Sequence, residues 1–359
     1  MSQLDTLMNE VNKKFKSDIF HRGVKQYDYV RIPFTSPRLN YMTFGGIPQG
    51  KLVEFYGEEH SGKTTSALDN LANYQRMDDA KSVIYVDVEH SLDPVWATKL
   101  GVDLDSDKFI MIDPEISQGA ETLFDIVLSA METGEVGYVV IDSIGALFSD
   151  AESEKSIGEK TYGGVSMALT KFSKKAEMLC AKHKCTLVGI NQLRADMNSL
   201  YGGMRTPGGE AWKYFCSVRL EFRKGKYFDE KGNDLTQSAE NPYGNYVLVT
   251  MKKNKTCPPT RRTGYYSLTY CRGIDYLRDL VDVAVKYDLI QKAGAWFAII
   301  DPDTGEEMAK VQGQARVYEY LSDNFDVLKK VESFMDDKIQ EGLNVLPEEV
   351  EVLNELEED

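Results

Sequence analysis

The sequence lacks most of the features that would tie it to a membrane or to an oxidising compartment. No apolar run reaches the roughly 18 residues needed for a spanning helix. The longest greasy stretch, "VGYVVIDSIGALF", is broken by Asp142. The opening segment "MSQLDTLMNEVNKKF" has no apolar heart of the kind a secretion signal carries. Cysteine is scarce: Cys180, Cys185, Cys216, Cys257 and Cys271 form no Cys-x-x-Cys pair and no Cys/His spacing suited to zinc. Buried, reduced thiols are expected instead. Internal repeats and low-complexity segments are also missing. These absences predict a soluble cytoplasmic protein with no membrane partner.

An excess of positive charge is missing too. The formal net charge is -15, which argues at first against a nucleic-acid partner. The charge is segregated, however. From Glu341 to Asp359 there are eight acids and no Lys or Arg, whereas "MKKNKTCPPTRR" (251–262) carries Lys252, Lys253, Lys255, Arg261 and Arg262 and no acid. The tail reads equally as a solvated end or as a regulatory element.

What is present begins with length and pattern. At 359 residues, 42% hydrophobic, the chain predicts one large domain plus smaller pieces. Leu4, Leu7, Val11 and Phe15 fall at helical spacing, so residues 3–16 predict a short amphipathic helix. A helix this short needs a partner surface, either its own core or a neighbouring subunit. From residue 51, strands (52–56, 83–88, 136–141, 186–190) alternate with helices (63–77, 119–132, 165–183). The strands are rich in Val, Ile and Tyr, as strands covered on both faces must be. The alternation predicts an α/β fold with a mostly parallel central sheet. "SVRLEFR", "GNYVLVTMKK" and "YYSLTY" are then expected as antiparallel strands finishing the sheet. A small α/β unit is expected from about residue 276 to 340.

"GEEHSGKT", Gly57 to Thr64, fits G-x-x-x-x-G-K-[ST] after a predicted strand and before a predicted helix. Gly57 and Gly62 let the backbone curl so that N–H groups face phosphate oxygens, and the following helix adds its positive end. Lys63 supplies charge for the β- and γ-phosphates, and the Thr64 hydroxyl can ligate Mg²⁺. Glu58 and His60 are not pattern residues and are expected to point outward. Asp142 ends the strand "YVVID", where an acid can approach the metal; its plainer role is a helix cap. Glu89 follows the strand "VIYVDV", where a carboxylate can orient and deprotonate an attacking water, or can be an exposed loop acid. Gln192 ends the fourth strand, where a neutral amide can sense the γ-phosphate without acting as a base. It leads into "RADMNSLYGGMRTPGGE", a glycine-rich loop in which Arg194 and Arg205 can meet phosphates and Tyr201 can stack on a base. An ordinary surface loop is the alternative.

Taken together, "KLVEFYGEEHSGKTT", "YVDVEHSLDPVWATKLGVD", "VVIDSIGAL", "INQLR", "TPGGEAWKYFCSVRL", "KKNK" and "LIQKAGAWF" resemble, in order, segments of the RecA family of DNA strand-exchange recombinases, from about residue 10 to 340. The resemblance implies a RecA-like P-loop ATPase core at 36–275, an N-terminal oligomerisation arm at 1–35, a small C-terminal domain at 276–340 and an acidic tail at 341–359. It implies that the loop Gly57, Glu58, Glu59, His60, Ser61, Gly62, Lys63, Thr64 and Thr65 binds ATP with Mg²⁺. Glu89 is then the catalytic glutamate, with Lys63 and Gln192 beside it. Asp93, Trp96 and Tyr270 contact the adenine, with Trp96 where the family usually has tyrosine. Lys253 and Lys255 reach a neighbour's ATP in trans. Two DNA loops are implied, 152–164 with Tyr162 and Gly163, and 194–209 with Arg194, Tyr201, Arg205, Gly208 and Gly209; Lys174 is a further DNA contact. Glu58 stands in place of a family proline, His60 in place of serine and Met167 in place of an arginine, and the second loop is one residue shorter. These departures suggest a divergent, phage-like member.

The function so implied is an ATP-dependent recombinase that forms a helical homo-oligomeric filament on single-stranded DNA, pairs it with homologous double-stranded DNA and exchanges strands. Single-strand-binding and mediator proteins are further partners the resemblance allows. Two alternatives use the same core: a hexameric DNA helicase, and a nucleotide-gated scaffold that coats DNA.

Overall fold

The computed structural model describes residues 2–15, 29–114, 119–153, 164–195 and 203–341. Residues up to Val30 form one unit and those from Arg31 onward another. The first contains α1 (Gln3–Phe15), on which Leu4, Leu7 and Phe15 are exposed.

The first helix of the second unit is α2 (Pro37–Thr43), started by the N-cap Ser36 and by a proline in its first turn. It is built on a sheet whose strands we number β1 (Leu52–Gly57), β2 (Ser82–Asp87), β3 (Phe109–Ile112), β4 (Val136–Asp142), β5 (Thr186–Gln192), β6 (Val218–Phe228), β7 (Gly244–Asn254), β8 (Thr263–Thr269) and β9 (Gly273–Ile274). They lie in the order β9-β8-β7-β6-β1-β5-β4-β2-β3, with the short strand Asp234–Leu235 paired to β6. Every residue of β1 and β4 is buried, which explains why, Glu54 and the terminal Asp142 apart, they are almost continuously apolar. Val53 and Phe55 face the helix α3 (Lys63–Gln75) through Ala67, Leu68 and Leu71. Leu52 belongs to the opposite face, which α5 (Ala120–Glu132) and α7 (Gly164–His183) cover through Leu123, Val127, Leu169 and Phe172. Between these two helices lies the single turn α6 (Asp150–Ser153).

The "SVRLEFR" segment corrects one expectation. β6 is antiparallel to β7 but parallel to β1, so it joins the two halves of the sheet. Two elements escape sequence patterning. The edge strand β3 leaves Ile110 and Met111 exposed. The six-residue helix α4 (Pro94–Lys99) is too short for periodicity and is fixed by its N-cap Asp93.

Beyond the sheet, α9 (Tyr276–Lys286), a three-stranded antiparallel sheet (Ile290–Ala293, Trp296–Ile300, Glu307–Gln312), α10 (Gln314–Asp323) and α11 (Phe325–Gln340) share a separate core of Val281, Ile290, Ile299, Val317 and Val331. No helix among the described residues is long and apolar enough to cross a membrane.

Candidate functional site

The carboxyl ends of β1, β2, β4 and β5 lie at one rim of the sheet, with Gly57 opposite Gln192 and Asp87 opposite Asp142. In an open α/β sheet this rim is where ligands bind. The loop from Gly57 curls there because its glycines permit it. A Cβ on Gly57 would stand 2.1 Å from the Phe222 carbonyl oxygen. Gly62, the N-cap of α3, has φ 93°, a left-handed conformation that favours glycine. Tyr266 secures the turn: its hydroxyl donates to the Gly62 carbonyl (3.3 Å) and pairs with the Ser66 hydroxyl (2.9 Å).

Lys63 is buried and donates to the Glu58 carbonyl at 2.6 Å, while Ser61 closes the same turn on that oxygen at 2.7 Å. Burial pulls the Lys63 pKa down; Asp142, Glu89 and Glu59 oppose this. The side chains of Glu58, Glu59 and His60 are exposed. Thr64 donates to Asp142 Oδ2 at 2.8 Å, and the buried Tyr85 hydroxyl donates to the same oxygen at 2.9 Å. Burial raises the Asp142 carboxyl, with these two donors working against it. A hydroxyl and a buried carboxylate side by side at a phosphate-type loop fit a hard divalent cation, which would replace the proton that burial favours.

Glu89 is gathered in from the next strand. Asp87 holds the connecting turn by accepting from the backbone N–H of Ser91 (3.1 Å) and Leu92 (2.9 Å). Glu89 Oε1 accepts from the Ser143 hydroxyl and from the Gln192 side-chain amide at 3.1 Å. Lys63, Asp142, Glu89 and Gln192, from four chain segments, thus converge on one rim. Asp87 and Ser143 were not singled out in the sequence, although each sits beside a residue that was.

A cleft of about 410 Å³ opens beside the loop, lined by His60, Lys63, Thr65, Lys224, Asn245 and Tyr270 among others. Tyr270 donates to Asn245 at 2.8 Å, and the Trp96 indole N–H reaches the Thr65 hydroxyl at 3.4 Å. Asp93 spends one carboxylate oxygen on the N–H groups of Val95 and Trp96. Lys224 and Asn245 are cleft residues the sequence did not reveal, because β6 and β7 deliver them from far along the chain.

Of the second loop, the described parts form a ribbon in which Arg194 and Ala195 pair with Arg205 and Met204. Arg194 and Arg205 are direct cross-strand neighbours, so two cationic side chains start from adjacent positions of this ribbon. Arg194 also donates to the Gly145 carbonyl at 2.8 Å. A cleft of about 460 Å³ runs beside them, bordered by Ser166, Gly208, Gly209 and Lys213. Lys174 is exposed on α7. Tyr162, Gly163 and Tyr201 lie outside the described residues, as does most of the segment 152–164. Lys253 and Lys255 are not in the nucleotide cleft. Lys253 Nζ donates to the carbonyls of Lys213 (2.6 Å) and Tyr214 (2.9 Å), and Lys255 Nζ to that of Tyr214 (3.2 Å). Both therefore hold the C-terminal end of α8 (Gly209–Phe215).

Comparison with known proteins gives a consistent picture. The family model described as RecA N-terminal domain matches residues 2–275, and that described as RecA C-terminal domain matches 278–340. The chain is 33% identical over 344 residues to Protein RecA of Clostridium acetobutylicum, covering 94% of this chain and 92% of that one. It is 33% identical over 334 residues to Protein RecA of Ruminococcus albus, covering 92% and 78%. With Protein RecA of Streptomyces ambofaciens it shares 32% identity over 350 residues, covering 96% and 88%.

Proposed function

The chain belongs to the RecA family of recombinases, and from that premise we propose that ATP binding and hydrolysis at the Gly57–Thr65 loop drive its assembly on DNA and its release. The observation that carries this reading is the meeting of Glu89 and Gln192 beside Lys63, with the DNA loop starting two residues after Gln192.

In this reading Lys63 exchanges the Glu58 carbonyl for the β- and γ-phosphates, a charge-assisted contact. Thr64 and Asp142 would hold Mg²⁺, which would supply charge neutralisation on the phosphates. Glu89 orients the attacking water and accepts its proton, while Ser143 and Gln192 fix the carboxylate. Trp96 and Tyr270 flank the adenine, with Asp93 at its edge. Lys253 and Lys255 leave the α8 carbonyls to reach the ATP of an adjoining subunit.

DNA is held by Lys174, Arg194, Arg205 and the backbone at Gly208 and Gly209, with Tyr162, Gly163 and Tyr201 contributing from the loops. The arginine pair supports this, since it sets two cations side by side at the stems of the loop, where a phosphate backbone can meet both. Subunits joined through the arm at 1–35 form a helical filament on single-stranded DNA in the cytoplasm. Residues 276–340 gather the homologous duplex, and sequence is read by base pairing.

The test is electron microscopy of the protein with single-stranded DNA and a non-hydrolysable ATP analogue. A helical filament stretched beyond B-form spacing is expected. Closed rings would favour a helicase, and isolated particles would remove the interface roles of the arm, Lys253 and Lys255.

A further inference from the structure

One charged residue sits in the middle of the most buried strand. Glu54 is fully buried in β1, on the sheet face covered by α7 and α8, where Leu52 is apolar. A buried carboxylate is tolerated only when its oxygens are bonded. One oxygen accepts from Arg219 Nε, the direct cross-strand partner on β6. The other accepts from the side-chain amide of Asn191 at 3.0 Å.

Asn191 is equally enclosed, and both of its amide donors and its carbonyl oxygen are engaged. Nδ2 donates to Glu54 and also to the Pro207 carbonyl at 3.0 Å. Oδ1 accepts from the backbone N–H of Gln192 at 3.0 Å. Gln192 precedes the second loop and Pro207 closes it, so one amide joins both stems. Arg219 in turn lies opposite Lys253 on β7, and Lys253 holds the far end of α8, the helix that begins just after Pro207. A polar row, Asn191–Glu54–Arg219–Lys253, therefore crosses three strand boundaries beneath α8 and reaches both of its ends.

We propose that Asn191, braced by the buried Glu54–Arg219 pair, is the positioning residue that fixes Pro207 relative to Gln192, so that DNA held by the second loop and the state of the Glu89–Gln192 pair report on one another. The inference rests on the nucleotide and DNA reading above. Asn191 touches neither ligand; it acts by keeping the two stems of the loop in one register.

The experiment compares the full-length protein with Asn191→Asp and with Asn191→Asp combined with Glu54→Gln. The first change keeps the acceptor for the Gln192 N–H but loses both donors. In the double variant the amide introduced at position 54 donates to the carboxylate introduced at position 191. This restores the buried contact with reversed polarity, but nothing donates to Pro207. ATP turnover is measured with and without oligo-dT, alongside binding of a fluorescent ATP analogue and thermal unfolding. The double variant is expected to unfold within a few degrees of wild type and to bind the analogue normally. Its DNA stimulation is expected to fall at least tenfold. Wild-type stimulation in the folded double variant overturns the inference. Absence of DNA-stimulated turnover in the wild-type protein instead overturns the reading on which it rests, so the two failures are distinct.

Discussion

The Gln192 side-chain amide donates to the Glu89 carboxylate across 3.1 Å, although 103 residues separate them. The same Glu89 oxygen accepts from Ser143, beside Asp142, whose carboxylate holds Thr64. Hydrogen bonds at a strand-end rim thus join the phosphate-type loop, the acid beside it and the root of the second loop.

Glu89→Gln is expected to leave nucleotide and DNA binding near wild type while lowering turnover by about 10²- to 10⁴-fold, the usual worth of a positioned general base. Steady-state hydrolysis with oligo-dT, set against binding of a fluorescent ATP analogue, separates the two effects. Unchanged turnover would take Glu89 out of the mechanism.

Lys63→Ala removes the only buried ammonium at the loop among the described residues. Loss of a charge-assisted contact costs about 2 kcal/mol or more. The variant is expected to bind ATP at least thirtyfold more weakly and to form no ATP-dependent filaments. Normal filaments by electron microscopy would mean that this loop does not hold the triphosphate.

Asp69 is fully buried and its carboxyl is pushed up to about 6, chiefly by desolvation, against the donors of Thr35. In the unfolded chain it titrates near 3.9. Because the folded value is the higher one, its contribution to stability is full below about pH 4 and is lost as pH rises through 6. Asp69→Asn, which keeps an acceptor for the Thr35 N–H, should therefore gain on wild type between pH 4 and 7. The gain is at most about 3 kcal/mol. Urea unfolding at three pH values tests this; a pH-independent difference would show that Asp69 ionises normally.

Arg261 lies between the rings of Tyr41 and Phe44, at 4.0 and 4.1 Å. It donates to the carbonyls of Tyr41, Lys338, Ile339 and Glu341, closing the C-terminal end of α11. Arg261→Ala should lower stability by about 2–4 kcal/mol. Arg261→Lys should recover less than half, since an ammonium neither stacks flat nor forks to several carbonyls. Full recovery by lysine, in chemical denaturation, would reduce the site to a simple charge.

Deleting residues 341–359 removes eight acids. Duplex-DNA affinity is expected to rise, most at low salt, because a nearby anionic segment competes with phosphates. Equal affinity for both proteins throughout a salt series would make the tail inert.

Short-range physics is written into the order of the residues. Apolar runs marked four parallel strands because burial on both faces leaves no room for alternation. Two glycines and a lysine at fixed spacing marked the loop because the backbone must curl there whatever surrounds it. β3 and α4 left no such mark, being an edge with exposed apolar residues and a single turn or so of helix. Folding is what brings Glu54 to Asn191 and Arg219, sets Arg261 against the end of α11, and rests Lys253 and Lys255 on the end of α8. Each of these is a polar contact between segments far apart in the chain. A hydrogen bond of that kind imposes no period and no spacing on the sequence, so it becomes visible only once the strands lie side by side.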